Sequence, residues 1–571
     1  SKKMLRSPWW KPIKDFNFNY APSRVGVRTD MNRRYTETQM RNTTEYDLYI
    51  PPTYQKNFLW NREYHLKYDL TKAIRFQYDA FNYGRIDEPE GVVDKNASNW
   101  QELKDSIWTN IGKGGRTTQY TQTTVANWTL PINKIPLFSW ITSNASYTGN
   151  FTWDAAPRTL NADGTISQDP VGNTVQNSQN MQINATANMN NLYNKVPFLK
   201  KISQKSRGRS RGKSTRGKKA DPEEAADDST KTKKELKALK FIGEGLAGLI
   251  MSVKNVNFTY SETNGTLLPG YQPQTDFVGL DKNDADMGNR EGFVPFLFGW
   301  QNINPGSWDI REEANKGDWL TRSPDQFQAM SRTHSNNLNA RATLEPIKGL
   351  RIDVTAMRTY SEGISEFYRW SDTLQDFETT NQVKSGNFSM SYLSWPTGFE
   401  KTGVNNSSPA FDQFLANRSV MAQRFASEHP GILGVGPNGF PEGYGENQQE
   451  VLIASFLAAY SGSDANTSST SSMPRIPLPN WRATYDGLGK IPFMKKLFKS
   501  ITFNHAYRST YNVSSFTTNL GFVPYSDGSS FPSTDGIDSS QNFVPQLQIN
   551  TVTLSEQFSP LFGIDMTWKN S

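Results

Sequence analysis

TTVANWTLPINKIPLFSWITSNASYTGNFTW, residues 123–153, alternates apolar and polar residues on both sides of a short Ile-Pro-Leu turn at 135–137. The apolar residues from Ile141 to Trp153 all occupy odd positions, and every even position between them holds threonine, asparagine or serine. Successive side chains of a strand point to opposite faces of its sheet. The stretch therefore predicts a β-hairpin with one apolar face and one polar face.

The same pattern recurs along the 571-residue chain and predicts seven hairpins, with about fourteen strands in all. In the fourth hairpin the two strands are separated by a long insertion. The short turns are predicted at residues 21–23, 71–73, 135–137, 195–199, 346–349, 490–493 and 559–561.

The connections at the opposite strand ends are long and irregular, for example at 154–179, 261–335 and 362–480. Short turns at one end and long loops at the other are typical of outer-membrane barrels, whereas compact soluble domains seldom contain such loops. We expect the 362–480 loop to form a cap or rim with helices at 409–426, capped by Ser408, and at 448–460.

The insertion at 204–237 has a different composition, in which KSRGRSRGKSTRGKK is followed by ADPEEAADDS and KTKKELK. It has almost no apolar residues and contains separate blocks of opposite charge, so we expect a disordered turn insertion. A basic run can bind nucleic acid or anionic lipid. A solvated extension is the simpler interpretation, and we expect no nucleic-acid partner.

The composition excludes several kinds of site. The chain has a net charge of +7 and contains no cysteine. The absence of cysteine rules out disulfides and thiolate metal sites. No apolar run approaches the roughly 20 residues of a membrane-spanning helix. If the protein meets a bilayer, it must do so as a β-barrel or from the surface.

Alternation alone allows two arrangements of the apolar face. It lines a dry core in a soluble sandwich and meets lipid in a membrane barrel. Aromatic residues near strand ends, strands of roughly 9–11 residues and the loop asymmetry favour the membrane. We therefore predict an all-β fold, an antiparallel transmembrane β-barrel segment that forms an arc of a very large barrel.

This orientation assigns side chains to lipid or to a hydrated lumen by their parity. The predicted lipid-facing residues are Phe76, Tyr78, Tyr147, Phe151, Trp153, Phe258, Leu344, Ile352, Val354, Phe503, Tyr507 and Trp568. The predicted lumen-facing residues are Arg28, Arg75, Asn144, Thr148, Arg341, Arg351, Asp353, Asn504 and Arg508.

The sequence contains only weak motifs for chemistry. GVGPNG at 434–439 matches a dinucleotide fingerprint, but it lacks a preceding buried strand and contains a proline where the helix should begin. Residues 281–286 are similar to a calcium loop without its closing glutamate. The four histidines are far apart in sequence and are interpreted as surface or lumen residues. We predict no catalytic residue, no cofactor site and no metal site, and a structural calcium ion in the 281–286 loop is left open as an alternative.

Several long strings, in order along most of the chain, resemble the SprA/Sov family, including NLNARATLEPIKGLRIDVTAMRTYSE and LPNWRATYDGLGKIPFMKKLF. The stretches that carry the resemblance are 16–41, 68–91, 172–184, 192–202, 337–362 and 478–498. That family forms the giant outer-membrane translocon barrel of the type IX secretion system. Its full-length members are several times longer, so we expect this chain to be an internal piece with two cut ends.

The resemblance implies a passive channel in the outer membrane of a Gram-negative bacterium, through which folded proteins reach the cell surface. In some bacteria such export supports gliding. The implied partners are secreted cargo proteins, a porin-like barrel at a lateral opening, a plug protein and outer-membrane lipids.

Two other functions remain possible on the residues alone. A porin or nutrient transporter would close into a ring of roughly 16–22 strands. A soluble extracellular adhesin would stack β-sandwiches and would fractionate without detergent.

Overall fold

A computed structural model describes residues 17–41, 43, 49–89, 92, 95–96, 98–160, 166–168, 171–197, 199–200, 250–276, 278–280, 292–300, 308–401, 403–404 and 407–569. Strands dominate the regular structure. Within these ranges no helix combines the length and the apolar character needed to cross a membrane. The predicted insertion at 204–237 and the calcium-like stretch at 281–286 lie outside the described residues.

Fourteen strands form one antiparallel sheet, and two short strands form a separate ribbon. The strands of the sheet are β1 Arg24–Thr38, β2 Thr53–Tyr68, β3 Ile74–Arg85, β4 Arg116–Leu130, β5 Ile141–Asp154, β8 Asn173–Asn188, β9 Val253–Tyr271, β10 Met330–Leu344, β11 Leu350–Ser371, β12 Asp376–Ser391, β13 Asn480–Tyr485, β14 Phe498–Thr518, β15 Leu547–Phe558 and β16 Gly563–Trp568. The ribbon consists of β6 Arg158–Leu160 and β7 Ile166–Gln168. The all-β, antiparallel fold predicted from the alternation is confirmed.

Five of the seven predicted hairpins are present. The strand pairs are β2–β3, β4–β5, β8–β9, β10–β11 and β13–β14, each antiparallel. In the turn between β10 and β11, Gly349 has a φ of 87°, a conformation that glycine adopts without strain. We call the sheet face that carries Tyr147 the apolar face and the opposite face, which carries Thr148, the polar face.

The first and seventh predicted hairpins are wrong. Strand β1 pairs with β2, with Val25 opposite Leu66, and not with the residues before the 21–23 turn. Strands β15 and β16 do not pair with each other but follow one another along the same edge of β14. The backbone of Ala506 bonds to Ser559 and Pro560, so the chain bulges there and continues in the same direction.

Strands β12 and β13 share one position in the same way. Both pair with β11 on one side and β14 on the other, and the 88 residues of 392–479 are inserted between them. Fourteen strands therefore occupy twelve positions in the sheet. Within the described residues, the outer edge of β1 and the outer edge formed by β15 and β16 have no strand partner, so the sheet is open.

All three predicted loops are shorter than expected, because strands extend into them, and the loop predicted at 154–179 spans 155–172. The loop predicted at 261–335 spans only 272–329, and the loop predicted at 362–480 contains the end of β11, all of β12 and then the segment 392–479. The upper part of β11 carries Glu362 and Glu366 at positions of apolar parity, which hides the strand pattern in the sequence.

The helices lie in the connections. They are α1 Trp100–Gly112, α2 Met189–Lys195, α3 Val294–Leu297, α4 Ile310–Lys316, α5 Pro409–Glu428, α6 Gln449–Ser461 and α7 Pro492–Leu497. Short 3-10 turns occur at Pro131–Lys134, Pro136–Phe138, Trp395–Thr397, Pro437–Gly439 and Gly487–Lys490. Helices α5 and α6 lie where the two helices of the long loop were predicted; Ser408 is the N-cap residue of α5, but its side chain does not make the expected capping hydrogen bond.

Two of the three packed cores lie on the apolar face, toward the ends of the strands that carry the long connections. The connection 272–329 covers one part, with Phe293 and Phe296 packed on Phe151 and Trp153. Helix α6 covers another part, beside β12 and β14. A third cluster joins α5 and α6 to residues 440–444 and 537–543. These connections therefore determine which parts of the apolar face are covered and which remain uncovered.

Candidate functional site

The strand register places all the predicted site residues on the expected sides of the sheet. Residues opposite each other in an antiparallel pair project to the same face. Tyr147 lies opposite Ala126 and Met181, and these rows lead across the sheet to Phe258 and Val354. The twelve predicted lipid-facing residues share the apolar face, and the nine predicted lumen-facing residues share the polar face.

Three of the predicted lipid contacts, Phe151, Trp153 and Tyr507, are wrong because protein buries them, and two others, Tyr78 and Tyr147, are half-buried. Phe151 and Trp153 are each 1% exposed; Phe151 contacts Phe293 at 5.8 Å between ring centroids, and the Trp153 indole donates to the Pro273 carbonyl oxygen at 3.1 Å. The connection 272–329 folds back on this end of the sheet. Sequence alternation within a strand cannot predict such a contact.

Tyr78, Tyr147 and Tyr507 each make a polar contact through the hydroxyl group. The hydroxyl of Tyr147 donates to the Phe298 carbonyl oxygen at 2.6 Å, and that of Tyr78 donates to Gln122 at 2.9 Å. Tyr507 is 1% exposed and accepts a hydrogen bond from the Ser394 backbone N–H at 2.9 Å.

The remaining seven lie in an uncovered apolar band near the short turns. They are Phe76, Phe258, Leu344, Ile352, Val354, Phe503 and Trp568. Phe258 is 37% exposed and Trp568 is 61% exposed. On β11 the band runs from Leu350 to Ala356, about 20 Å of strand. Among its described members, no side chain is an aspartate, glutamate, lysine or arginine.

The band has a defined upper border. On β9 and β11, Tyr260 and Tyr360 lie at this border, and the first charged side chains of the apolar face, Glu262 and Arg358, occur beside them. Tyrosine is enriched where a barrel wall leaves the hydrocarbon, because its ring is apolar and its hydroxyl can remain hydrated.

The polar face of the central strands is uncharged. At alternate positions over 121–129 of β4, 142–152 of β5, 174–188 of β8 and 255–265 of β9, almost every side chain is threonine, serine, asparagine or glutamine, and none is charged. Such a surface is hydrated without a strong electrostatic field. We call it the neutral carpet.

Cross-strand hydrogen bonds order the side chains of the neutral carpet. Thr123 donates to Asn150 at 2.9 Å, and Asn150 donates to Ser178 at 3.0 Å. Farther along, Asn180 donates to Thr263 at 3.0 Å. Because these polar groups bond to one another across four strands, the surface they form is fixed and does not depend on a ligand for order.

An arginine patch follows the neutral carpet on the polar face, across β10, β11, β13 and β14. The guanidinium of Arg351 lies 3.0 Å from the Asp353 carboxylate, and that of Arg341 lies 3.3 Å from it. Arg482 stands opposite Asp353 on β13, and Arg508 follows on β14. Together these residues line an open depression of about 760 Å³.

A buried ionic cluster lies on the apolar face, above the band, and was not predicted. The Glu366 carboxylate is fully buried, 3.2 Å from both Arg311 and Arg332. Lys384 lies 2.6 Å from Glu362, beside a cavity of about 290 Å³. The cluster joins α4 to the sheet. The glutamates at apolar parity in β11 are the sequence signal that could have revealed it.

The weak motifs have structural roles in the described residues. Pro437–Gly439 forms a 3-10 turn in which the Gly436 N–H bonds to the Phe440 carbonyl oxygen. The histidines lie apart, and His429 is buried, stacked on Phe543 at 5.1 Å, which differs from the predicted surface or lumen position. No group of metal-binding side chains occurs in the part of the chain that the structure describes.

No protein-family model matches the chain, and no curated protein matches its sequence. Among solved structures, the ferric-catecholate import receptor Fiu of E. coli K12 is 9% identical with a TM-score of 0.21, covering 97% of this chain and 62% of the receptor. The ferric enterobactin receptor PfeA is 9% identical with a TM-score of 0.17, covering 86% of this chain and 63% of that receptor. Likeness at these scores carries no argument, and the chain spans less than two thirds of either receptor.

Proposed function

We propose that this chain is a wall segment of a very large outer-membrane β-barrel that conducts proteins across the membrane, as the resemblance to the SprA/Sov family implies. One observation carries the proposal. A single sheet of twelve positions has an uncovered, charge-free apolar band on one face and a neutral, hydrogen-bonded polar surface on the other.

The apolar band supports a lipid contact. Soluble monomers rarely expose apolar patches larger than a few hundred Å², yet this band extends across the whole sheet. Its height along β11, about 20 Å, approaches the 25 Å apolar band of outer-membrane barrels. The described connections pack on the apolar face mainly above the band, where a wall would emerge from the membrane, although Trp395 also contacts Trp481 in the row of Val354.

The turns at the lower end of the band support the same orientation. Lys134-Ile135-Pro136-Leu137 and Lys490-Ile491-Pro492-Phe493 repeat one pattern, and Leu137 and Phe493 are 58% and 66% exposed. An apolar tip beside a lysine fits the boundary between hydrocarbon and headgroups, where the ammonium reaches lipid phosphates.

The neutral carpet supports a protein as the transported molecule. A folded protein adheres to apolar patches or to opposite charge, and the carpet offers neither. Twelve strand positions at about 4.8 Å spacing and about 40° tilt span roughly 75 Å of wall, and the sheet is still open at both edges. A porin or nutrient transporter would instead close at roughly 16–22 strands around a narrower lumen.

Imaging of the full-length protein in detergent tests the proposal. We expect a wide barrel with more strands than the 16–22 of a porin or nutrient receptor. A closed ring of roughly 16–22 strands would contradict the proposal that the barrel conducts proteins. A particle that stays in solution without detergent would contradict the proposal that the sheet lies in a membrane. The complementary assay in cells is the surface display of a secreted protein after depletion of this one.

A further inference from the structure

The arginine patch contains more positive than negative charge. The carboxylate of Asp353 lies within 3.3 Å of Arg341 and Arg351, and the charge of Glu345 also acts on Arg351. None of the described carboxylates lies within ion-pair distance of Arg482 or Arg508, and both side chains are exposed. The patch therefore carries an excess of positive charge.

Some other charges on the polar face are paired, whereas Arg24 of β1 stands opposite Lys67 of β2 without a carboxylate at ion-pair distance among the described residues. On β1, Arg28 lies 3.0 Å from Asp30, and on β3, Arg75 lies 3.8 Å from Asp69. Like charges on neighbouring strands repel each other and destabilise a sheet. Four arginines on adjacent strand positions, with an excess of positive charge, point to a ligand that supplies the missing negative charge.

The layout of the patch indicates the kind of ligand. Its arginines lie on four adjacent strand positions, so the patch spans about 14 Å across the strands. A small anion would need guanidinium groups that converge on one point, whereas a chain with several carboxylates can reach all four in turn. The guanidinium fork binds a carboxylate with two parallel hydrogen bonds.

We propose that the arginine patch binds acidic segments, rich in aspartate and glutamate, of the polypeptides that meet the polar face. This inference rests on the proposed function, because it assumes that proteins occupy that side of the wall. Arg341 and Arg351 flank the short turn between β10 and β11, so the patch lies near the end of the wall that carries the short turns. An acidic segment entering there meets the patch at the start of its passage.

Peptide binding to the full-length protein in detergent tests the site. The probe is a fluorescent peptide of about ten residues that alternates glutamate and glycine, and its comparison is the matching glutamine–glycine peptide. We expect the glutamate peptide to bind in a salt-dependent way and the glutamine peptide to bind at least about tenfold more weakly. Equal binding of the two peptides would overturn the proposal.

Substitutions locate the binding. The double variant Arg482→Gln with Arg508→Gln should weaken glutamate-peptide binding about tenfold or more, whereas Arg75→Gln, on the same face, should not. Lysine at positions 482 and 508 in place of glutamine should restore much of the affinity. This result would show that the glutamine variant loses binding through its charge and not through misfolding. Unchanged binding in the glutamine double variant would refute the site, as would displacement of the peptide by equimolar inorganic phosphate.

The peptide-binding test of the arginine patch can fail independently of the imaging test of the proposed protein-conducting barrel. A particle that images as a wide barrel but binds both peptides equally refutes the patch and leaves the conduit in place. A closed ring of porin size refutes the conduit whatever the peptide measurement shows.

Discussion

The hydroxyl of Tyr147 donates a hydrogen bond to the carbonyl oxygen of Phe298, 2.6 Å away. This bond joins the middle of β5 to the connection 272–329 at the point where the covered part of the apolar face ends. Above it, Phe151 and Trp153 are buried under the connection, and below it the band is uncovered. The contact therefore marks the border between the covered and the uncovered parts of one strand.

Gly149 makes this close approach possible, and its substitution should displace the connection. A Cβ at Gly149 would lie 2.0 Å from the Phe298 carbonyl oxygen. Gly149→Ala should therefore expose residues 292–300 to protease and weaken protection of their amides from hydrogen exchange. Gly112→Ala is the control, because a Cβ there meets nothing within 4 Å. Equal protection of wild type and Gly149→Ala would show that the contact is not maintained.

Two adjacent residues of β8 test which face meets lipid. Ile183 lies in the apolar band and Asn184 in the neutral carpet, so the two positions lie at the same height on opposite faces of the sheet. Ile183→Arg should cost roughly 2–4 kcal/mol if it lies near the membrane midplane, and Asn184→Arg should cost little. The measurement is the denaturant midpoint of refolding into lipid vesicles. Similar losses for both variants would argue against the proposed orientation.

Sequence alternation predicted the division of residues between the two faces but not what covers each face. Parity is a local property, so Tyr147 and Val354 could be assigned to one face from their neighbours alone. The burial of Phe151 depends on Phe293, which is 142 positions away in sequence. No local pattern encodes such a contact.

The broken strands were hidden for a related reason. Residues 559–561 carry a proline and interrupt the alternation, which locally has the form of a turn. Whether the chain reverses there or bulges is decided by the partner strand, and Ala506 bonds to both Ser559 and Pro560 along one edge. The arginine patch likewise became visible only when the register brought β10, β11, β13 and β14 together.

Removal of the Glu366 carboxylate should destabilise the covered part of the sheet. It is fully buried between Arg311 and Arg332, and breaking a buried pair leaves uncompensated charge at a cost of about 3–5 kcal/mol. Glu366→Ala should lower the unfolding midpoint accordingly. Lys490→Ala breaks the exposed pair with Asp486 and should cost no more than about 1 kcal/mol. Comparable midpoints for the two variants would contradict a structural role for the cluster.

The helical segment 392–479 should become less stable as the pH rises. Burial raises the pKa of Glu450, at the start of α6, and the hydrogen bond from Gln448 only partly opposes this. A carboxyl whose pKa is raised by folding binds more protons in the folded state than in the unfolded state. Its contribution to stability is therefore present at low pH and is lost as the pH rises above the pKa of the unfolded state. Glu450→Gln should flatten this pH dependence in hydrogen exchange of α6, whereas Glu446→Gln should leave it in place. A slope unchanged in Glu450→Gln would assign the effect elsewhere.

The tips of the short turns should lie in the membrane interface. Because the chain contains no cysteine, a single introduced cysteine can carry a spin label at a defined place. A label on Phe493→Cys, in the turn before β14, should be accessible to oxygen and protected from a water-soluble nickel complex in vesicles, because apolar side chains beside lysines partition into the headgroup boundary. Ile432→Cys is the control, since Ile432 is fully exposed in the segment 392–479 and its label should show the opposite preference. Equal access of the nickel complex to both labels would place the turns in water and would require another partner for their apolar tips.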